Sequence, residues 1–302
     1  MSRIWLPLAA ALAIAACSTD ETDGGGGGDP TSPVTPDALK VNVSQIIYDG
    51  ATLQVSIDYL DSTPVMVEYL RAPTLDLPGY QAFMMQEDAL DRLFVALAAE
   101  SDDGSVRAIT AGDGGQFNRY FAGGVYEREG AFLRPVIGTG PGAGQVSYAG
   151  SYAAVTNVGI TGGATFLGDP VTPGTDPSLI PGQPGRVSGD IFLNVNFSDD
   201  SVNGAIYNRM LVDLGFSLED VILVRTSIAA DGTFLGEAEY DDLTSIGTYG
   251  GIFGGVDARS VAGLVNLTEF ERDWDDEREH GVFVLTQCGP YNASPLCTMV
   301  AP

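Results

Sequence analysis

From residue 52 onward, apolar and polar residues alternate with a period of two, the pattern that turns one face of a β-strand to a core and the other to water. Residues 52–59 (TLQVSIDY) show it first, and residues 65–70 (VMVEYL) follow a turn at 61–64. Residues 80–85, 93–98, 106–110 and 120–126 continue the series, punctuated by Asp102-Asp103-Gly104 and Asp113-Gly114-Gly115. Residues 87–97 fit two templates. Leu90, Leu93, Phe94 and Leu97 suit helical spacing about as well as strand alternation, so helix and strand both stay open there.

The second half is more regular. Residues 146–157 (VSYAGSYAAVTN) read as a strand with 163–167 as its partner, and a Pro/Gly-rich loop spans 168–185. Residues 189–197 and 202–208 flank a short turn at 198–201, and 221–228 and 233–240 flank Ala230-Asp231-Gly232, a hairpin signal. Residues 248–254 and 261–267 form another pair, the acidic stretch 269–279 reads as a loop or helical turn, and 282–286 closes the series. Eight to nine strands at such short spacing close or split rather than stay one open sheet. Gly150, Gly204, Gly236 and Gly250, inside strands, suit the tight bends of a small barrel. The glycine-rich stretch from Gly138 to Gly144 reads as a linker that few contacts need to cross, so residues 139–302 are expected to fold alone.

The first 37 residues follow neither pattern. Arg3 gives a short positive start, and residues 4–16 are an apolar run shorter than the roughly 20 residues that a spanning helix needs. Ile14-Ala15-Ala16-Cys17 resembles the lipobox of bacterial lipoproteins, which implies cleavage after residue 16 and a diacylglyceryl group on the Cys17 thiol. Ser18, where Asp would signal retention, resembles the outer-membrane choice of enterobacterial lipoproteins. Residues 18–37, with five consecutive glycines and Pro30, Pro33 and Pro36, read as a flexible tether. Its glycine run lacks the Lys-Ser/Thr and helix of a phosphate cradle.

Charge removes several functions. The net charge is -26, and beyond the first 17 residues the only lysine is Lys40. Binding to nucleic acid needs positive charge against phosphate, and docking on anionic lipid needs the same sign. The acidic surface reads as solubility. Cys288 and Cys297 are an even pair in an oxidising compartment and are expected to form a disulfide across a Gly/Pro/Asn turn. His280 is the only histidine; beside acids and before a strand it is expected to be solvated or capping, which disfavours a His-based triad and bis-His haem ligation. Glu237 and Glu239 share one strand face roughly 7 Å apart, a spacing of interest for glycoside chemistry but more simply a polar outer face. Asp273, Asp275 and Asp276 lack the glycine and terminal Glu of a calcium loop and read as solvated. The sequons at Asn42 and Asn266 are read as chance. No catalytic residue, metal ligand or cofactor is identified, and the chain is expected to be a monomer.

Several of these segments together resemble the barrel domain of the transferrin-binding-protein-B-like surface lipoproteins, over roughly residues 139–302. They are 148–152 (YAGSY), 189–197 with 202–206, 232–236 (GTFLG) and above all 249–263 (YGGIFGGVDARSVAG). In the last, Phe253, Gly255, Ala258, Val261 and Gly263 match the family's pattern, while Gly254, Val256, Asp257, Arg259, Ser260 and Ala262 depart from it. The resemblance implies an all-β chain: an eight-stranded antiparallel β-barrel in residues 138–302, preceded by a smaller handle-like β domain in 38–137. It further implies a non-enzymatic lipoprotein, lipid-anchored at the outer membrane, whose barrel and handle loops bind a partner or solute such as an iron-carrying protein or haem. A structural envelope lipoprotein with a protein partner and no small ligand is the alternative. The matched pattern encodes a strand and its turn rather than a ligand site, so the binding residues stay unknown.

Overall fold

The computed structural model describes residues 33–58, 63–140, 142–159 and 168–298. Cys17 and most of the expected tether lie outside these residues, as does the segment 163–167. The chain is all-β. A one-turn helix, α1 (Asp37–Lys40), precedes seven strands: β1 (Val43–Tyr48), β2 (Leu53–Ile57), β3 (Met66–Arg71), β4 (Gln81–Met85), β5 (Phe94–Glu100), β6 (Val106–Asp113) and β7 (Ala122–Arg128). They form an antiparallel meander in chain order. The Asn42 amide donates to Ala122 O at 3.0 Å, so the sheet curls until its first and last strands nearly meet.

Nine strands follow: β8 (Gln145–Thr156), β9 (Gly185–Asn196), β10 (Ser201–Leu211), the two-residue β11 (Phe216–Ser217), β12 (Val221–Ser227), β13 (Thr233–Glu239), β14 (Ser245–Gly254), β15 (Ser260–Thr268) and β16 (Arg278–Gln287). All but β11 close into an eight-stranded antiparallel barrel, because β10 pairs with β9 as well as with β12. Closure leaves no bare edge in the ring. The neighbours of β8 are β9 and β16. Aromatic side chains fill the barrel: Phe253 lies 5.3 Å from both Phe197 and Phe234 and 5.6 Å from Tyr148, ring centre to ring centre. Inward glycines make room for them. A Cβ on Gly281 would fall 1.9 Å from the Tyr152 hydroxyl.

Residues 87–97 resolve as turn and then strand. β5 reads as a near-continuous apolar run because it is buried on both faces. Phe94, Ala96 and Ala98 face the handle's own core, while Val95, Leu97 and Ala99 face the barrel. They meet the outer wall of β8, β14, β15 and β16 through Ala153, Val155, Ile252, Ala262, Leu264 and Val282. The expectation that few contacts cross the linker is therefore corrected: the linker is short, but the two sheets share one apolar seam. Polar bonds cross it too. Tyr80 donates to Ser151 O at 2.7 Å, Arg186 to Leu75 O at 2.8 Å, and Arg128 to Asp231 O at 2.8 Å.

Candidate binding rim

His280 needs the clearest correction. It is buried, not solvated, because β16 begins at Arg278 and carries the imidazole on its outward face into the seam. Its Nε2 lies 2.6 Å from Leu39 O and its Nδ1 2.8 Å from the Thr110 hydroxyl. A carbonyl only accepts, so Nε2 carries the proton and Thr110 donates to Nδ1. Burial pushes the His280 pKa down to about 4.

The preceding residue, Glu279, points into the barrel. It is fully buried and pairs with Arg209 at 2.7 Å, while Tyr152 donates to its other oxygen at 2.7 Å. Burial and then the Glu279 charge hold the Tyr152 phenol well above its ordinary pKa. The guanidinium of Arg209 lies over Phe270, 5.5 Å from the ring centre. Phe270, itself buried, stands where the β15–β16 loop crosses the barrel end.

That end gathers the loops after β8, β10, β13 and β15. Arg272 ties three of them together, with Glu219 at 2.9 Å, Asp242 at 2.7 Å and Asp241 at 3.4 Å, and it lies over Tyr240. Its hydrogen bond holds the Asp242 carboxyl down at about 2. Around this tie the rim is apolar at several points. Phe216 stacks on Trp274 at 5.1 Å, and Leu214, Phe216 and Leu243 are exposed. The three loops also carry Asp213, Glu219, Asp220, Asp241, Asp242, Glu269, Glu271, Asp273, Asp275, Asp276 and Glu277, against the single base Arg272. Burial, followed by the charges of Glu219 and Asp273, raises the Glu271 pKa. The sequence-flagged Asp273, Asp275 and Asp276 are exposed here.

The handle reaches the same end through its β6–β7 turn. The Gly182 amide, in the β8–β9 loop, donates to Gly115 O at 2.8 Å, and Gln116 donates to Leu179 O at 3.0 Å. At the tip, Phe117 has φ 55° and Asn118 φ 56°, and Phe117 is 67% exposed. A bulky residue in the left-handed region is strained, and such strain persists only where the surroundings over-determine it. Arg92 supplies that constraint. It pairs with the buried Asp113, donates to Gln116 O at 2.8 Å and to Arg119 O at 3.0 Å, and lies over Phe121. Burial raises the Asp113 pKa, partly offset by the Phe121 amide and Arg92. Nothing in the sequence singled out Phe117, since the left-handed pair is visible only in the backbone.

The remaining sequence-flagged residues lie elsewhere. Glu237 and Glu239 are on the outer wall of β13, opposite the inward Phe234 and Ala238. Cys288 and Cys297 are bonded, their Cα atoms 5.6 Å apart, and this loop covers Ala149, Phe192, Ala205 and Tyr207 on the outer wall of β8, β9 and β10. Among the described residues no group of three or more His, Cys, Asp or Glu is placed to hold a metal ion.

No protein-family model and no curated protein matches the chain. Among solved structures, it is similar to isotype 1 transferrin binding protein B from serogroup B Neisseria meningitidis, with TM-score 0.40 and 13% identity over 83% of this chain and 42% of that one. It is also similar to an intact transferrin-binding protein B with N and C lobes, with TM-score 0.39 and 13% identity over 79% and 42%. A structure described as a surface lipoprotein matches with TM-score 0.36 and 15% identity, over 84% of this chain and 100% of that one. The chain thus spans less than half the length of the first two. All three likenesses have TM-scores below 0.5 and identities of 15% or less.

Proposed function

We propose that this protein is a lipid-anchored surface lipoprotein that captures a protein partner on the rim formed by the barrel loops and the handle tip. The observation that carries the reading is Phe117, an exposed aromatic side chain held in a strained turn by Arg92 and its buried partner Asp113. Strain and exposure together oppose folding, and Arg92 holds the turn against both, which fits a residue kept for contact. Aromatic anchors that become buried near the centre of an interface carry much of its binding energy. The filled barrel interior directs recognition to its outside, and the acidic loops select a partner with a basic face around an apolar spot. The resemblance in sequence makes iron-carrying proteins and haem the first candidates. A haem reading has no imidazole at the rim, since His280 lies in the seam.

Anchoring through Cys17 is the second half of the proposal. Radioactive palmitate should label the wild-type chain and not Cys17→Ser; an unlabelled wild type would remove the anchor. For the rim, purified iron-carrying proteins are titrated against the wild type and a Phe117→Ala/Phe216→Ala variant. A saturable complex weakened at least tenfold in the variant is expected, with salt sensitivity from the acidic loops. A complex indifferent to both substitutions would move recognition off the rim.

A further inference from the structure

On the outer wall of the barrel, at the end opposite the rim, lies a groove of about 460 Å³ formed by β8, β9, β10 and β12 beside the disulfide loop. Its floor is built in register. Ser147 stands opposite Asn194, which stands opposite Asn203; one step along, Gln145 stands opposite Asn196, which stands opposite Ser201. Strand geometry puts neighbours across the rows about 4.8 Å apart and the rows about 7 Å apart. The result is a grid of amides and hydroxyls on a rigid surface, with a volume in the range of small-ligand sites.

Two features separate this grid from an ordinary polar wall. Asparagine is depleted in strands, yet three outward positions of two paired strands carry it. Side-chain bonding within the protein does not repay that choice. Asn194, Asn203, Gln145 and Ser147 make no side-chain hydrogen bond among the described residues, and Asn196 uses only its oxygen, which accepts from the Ser198 amide at 2.9 Å. The groove is also electrically quiet in a chain of net charge -26. Its one cation, Arg225, is matched by Asp199 at 2.9 Å and also donates to Ser201 at 3.1 Å.

We propose that this groove is a second binding site, distinct from the rim, and that it takes a neutral glycan. An amide offers a donor and an acceptor side by side, the pairing that adjacent sugar hydroxyls require. A grid of neutral amides recognises hydroxyls without selecting charge. An anionic ligand would need a free cation, and Arg225 is already paired.

The test applies the whole chain, in a non-glycosidic detergent, to an array of neutral and acidic oligosaccharides, and then titrates any hit by calorimetry. Saturable binding of a neutral oligosaccharide is expected, weakened at least tenfold by Asn194→Ala/Asn203→Ala and unchanged by the rim variant Phe216→Ala. An array without hits, hits confined to acidic glycans, or binding untouched by the asparagine variant would each overturn the proposal. A thermal melt adds a second reading. Asn194→Thr/Asn203→Thr places better strand formers at the same positions and should raise the melting temperature; a fall would mean that the amides serve the fold.

Discussion

Glu279 and His280 are adjacent and face opposite ways, and each sets a measurable property of the fold. Glu279 neutralises Arg209 inside the barrel, where neither side chain meets water. Removing one partner of a buried pair strands the other charge, at a cost of roughly 3–5 kcal/mol. Urea unfolding of Glu279→Gln should show a loss of that order, and a double replacement by apolar residues, Arg209→Met/Glu279→Leu, should recover much of it. A loss under about 1 kcal/mol in Glu279→Gln would mean that the pair is solvated. His280 acts through pH. Its folded pKa is about 4 because burial disfavours the imidazolium, whereas the unfolded value is about 6.5. Between these values the unfolded chain binds a proton that the folded chain refuses. Stability is therefore fully present above about pH 6.5 and is lost as pH falls toward about 4, by roughly 3 kcal/mol from this residue. Denaturation at pH 7.5 and 4.5 should show a smaller acid loss in His280→Gln than in the wild type. Parallel losses would contradict the buried imidazole.

Elements were legible in the sequence wherever one face meets water. β12 and β13 alternate cleanly, and their hairpin falls at Ala230-Asp231-Gly232 as the turn chemistry predicts. Legibility failed where both faces are buried. β5 and β15 lose their period of two because the seam covers the face that would otherwise be polar, and the helix–strand ambiguity at 87–97 came from this. β1 went unread because its alternation is weak, with Ile47 exposed beside Ile46 buried. The sequence pattern places the start of β16 four residues late for a related reason: its charged first residues are the part that reaches Arg209 and the seam. The seam also bears on independence. Cutting at residue 139 would expose Val155, Ile252, Leu264 and Val282, apolar surface worth roughly 5 kcal/mol or more. Residues 139–302 expressed alone are expected to aggregate or to melt well below the whole chain. A soluble monomer melting with the whole chain would show that the seam contributes little.

At the scale of the molecule, two curved sheets share an apolar seam, and the molecule has distinct ends. One end carries the handle tip, the Arg272 tie and the acidic loops; the other carries the disulfide loop, with the amide groove on the adjoining wall. Neither the rim nor the groove was legible in the sequence. Phe117, Phe216 and Leu243 are far apart in the chain, the first on the handle and the other two on barrel loops, and Asn194 meets Asn203 only through strand register. The acidic loops were visible but read as solvated, which most of their carboxylates are. Capture of a protein partner at the rim is tested most directly inside intact cells. A photoreactive benzophenone amino acid is placed at Phe117 or Leu243, and at Leu235 on the exposed outer wall of β13 as the control. After irradiation, the two rim positions should give the same discrete higher-mass adduct and Leu235 none. No adduct from either rim position, or the same adduct from Leu235, would contradict the rim as the binding surface.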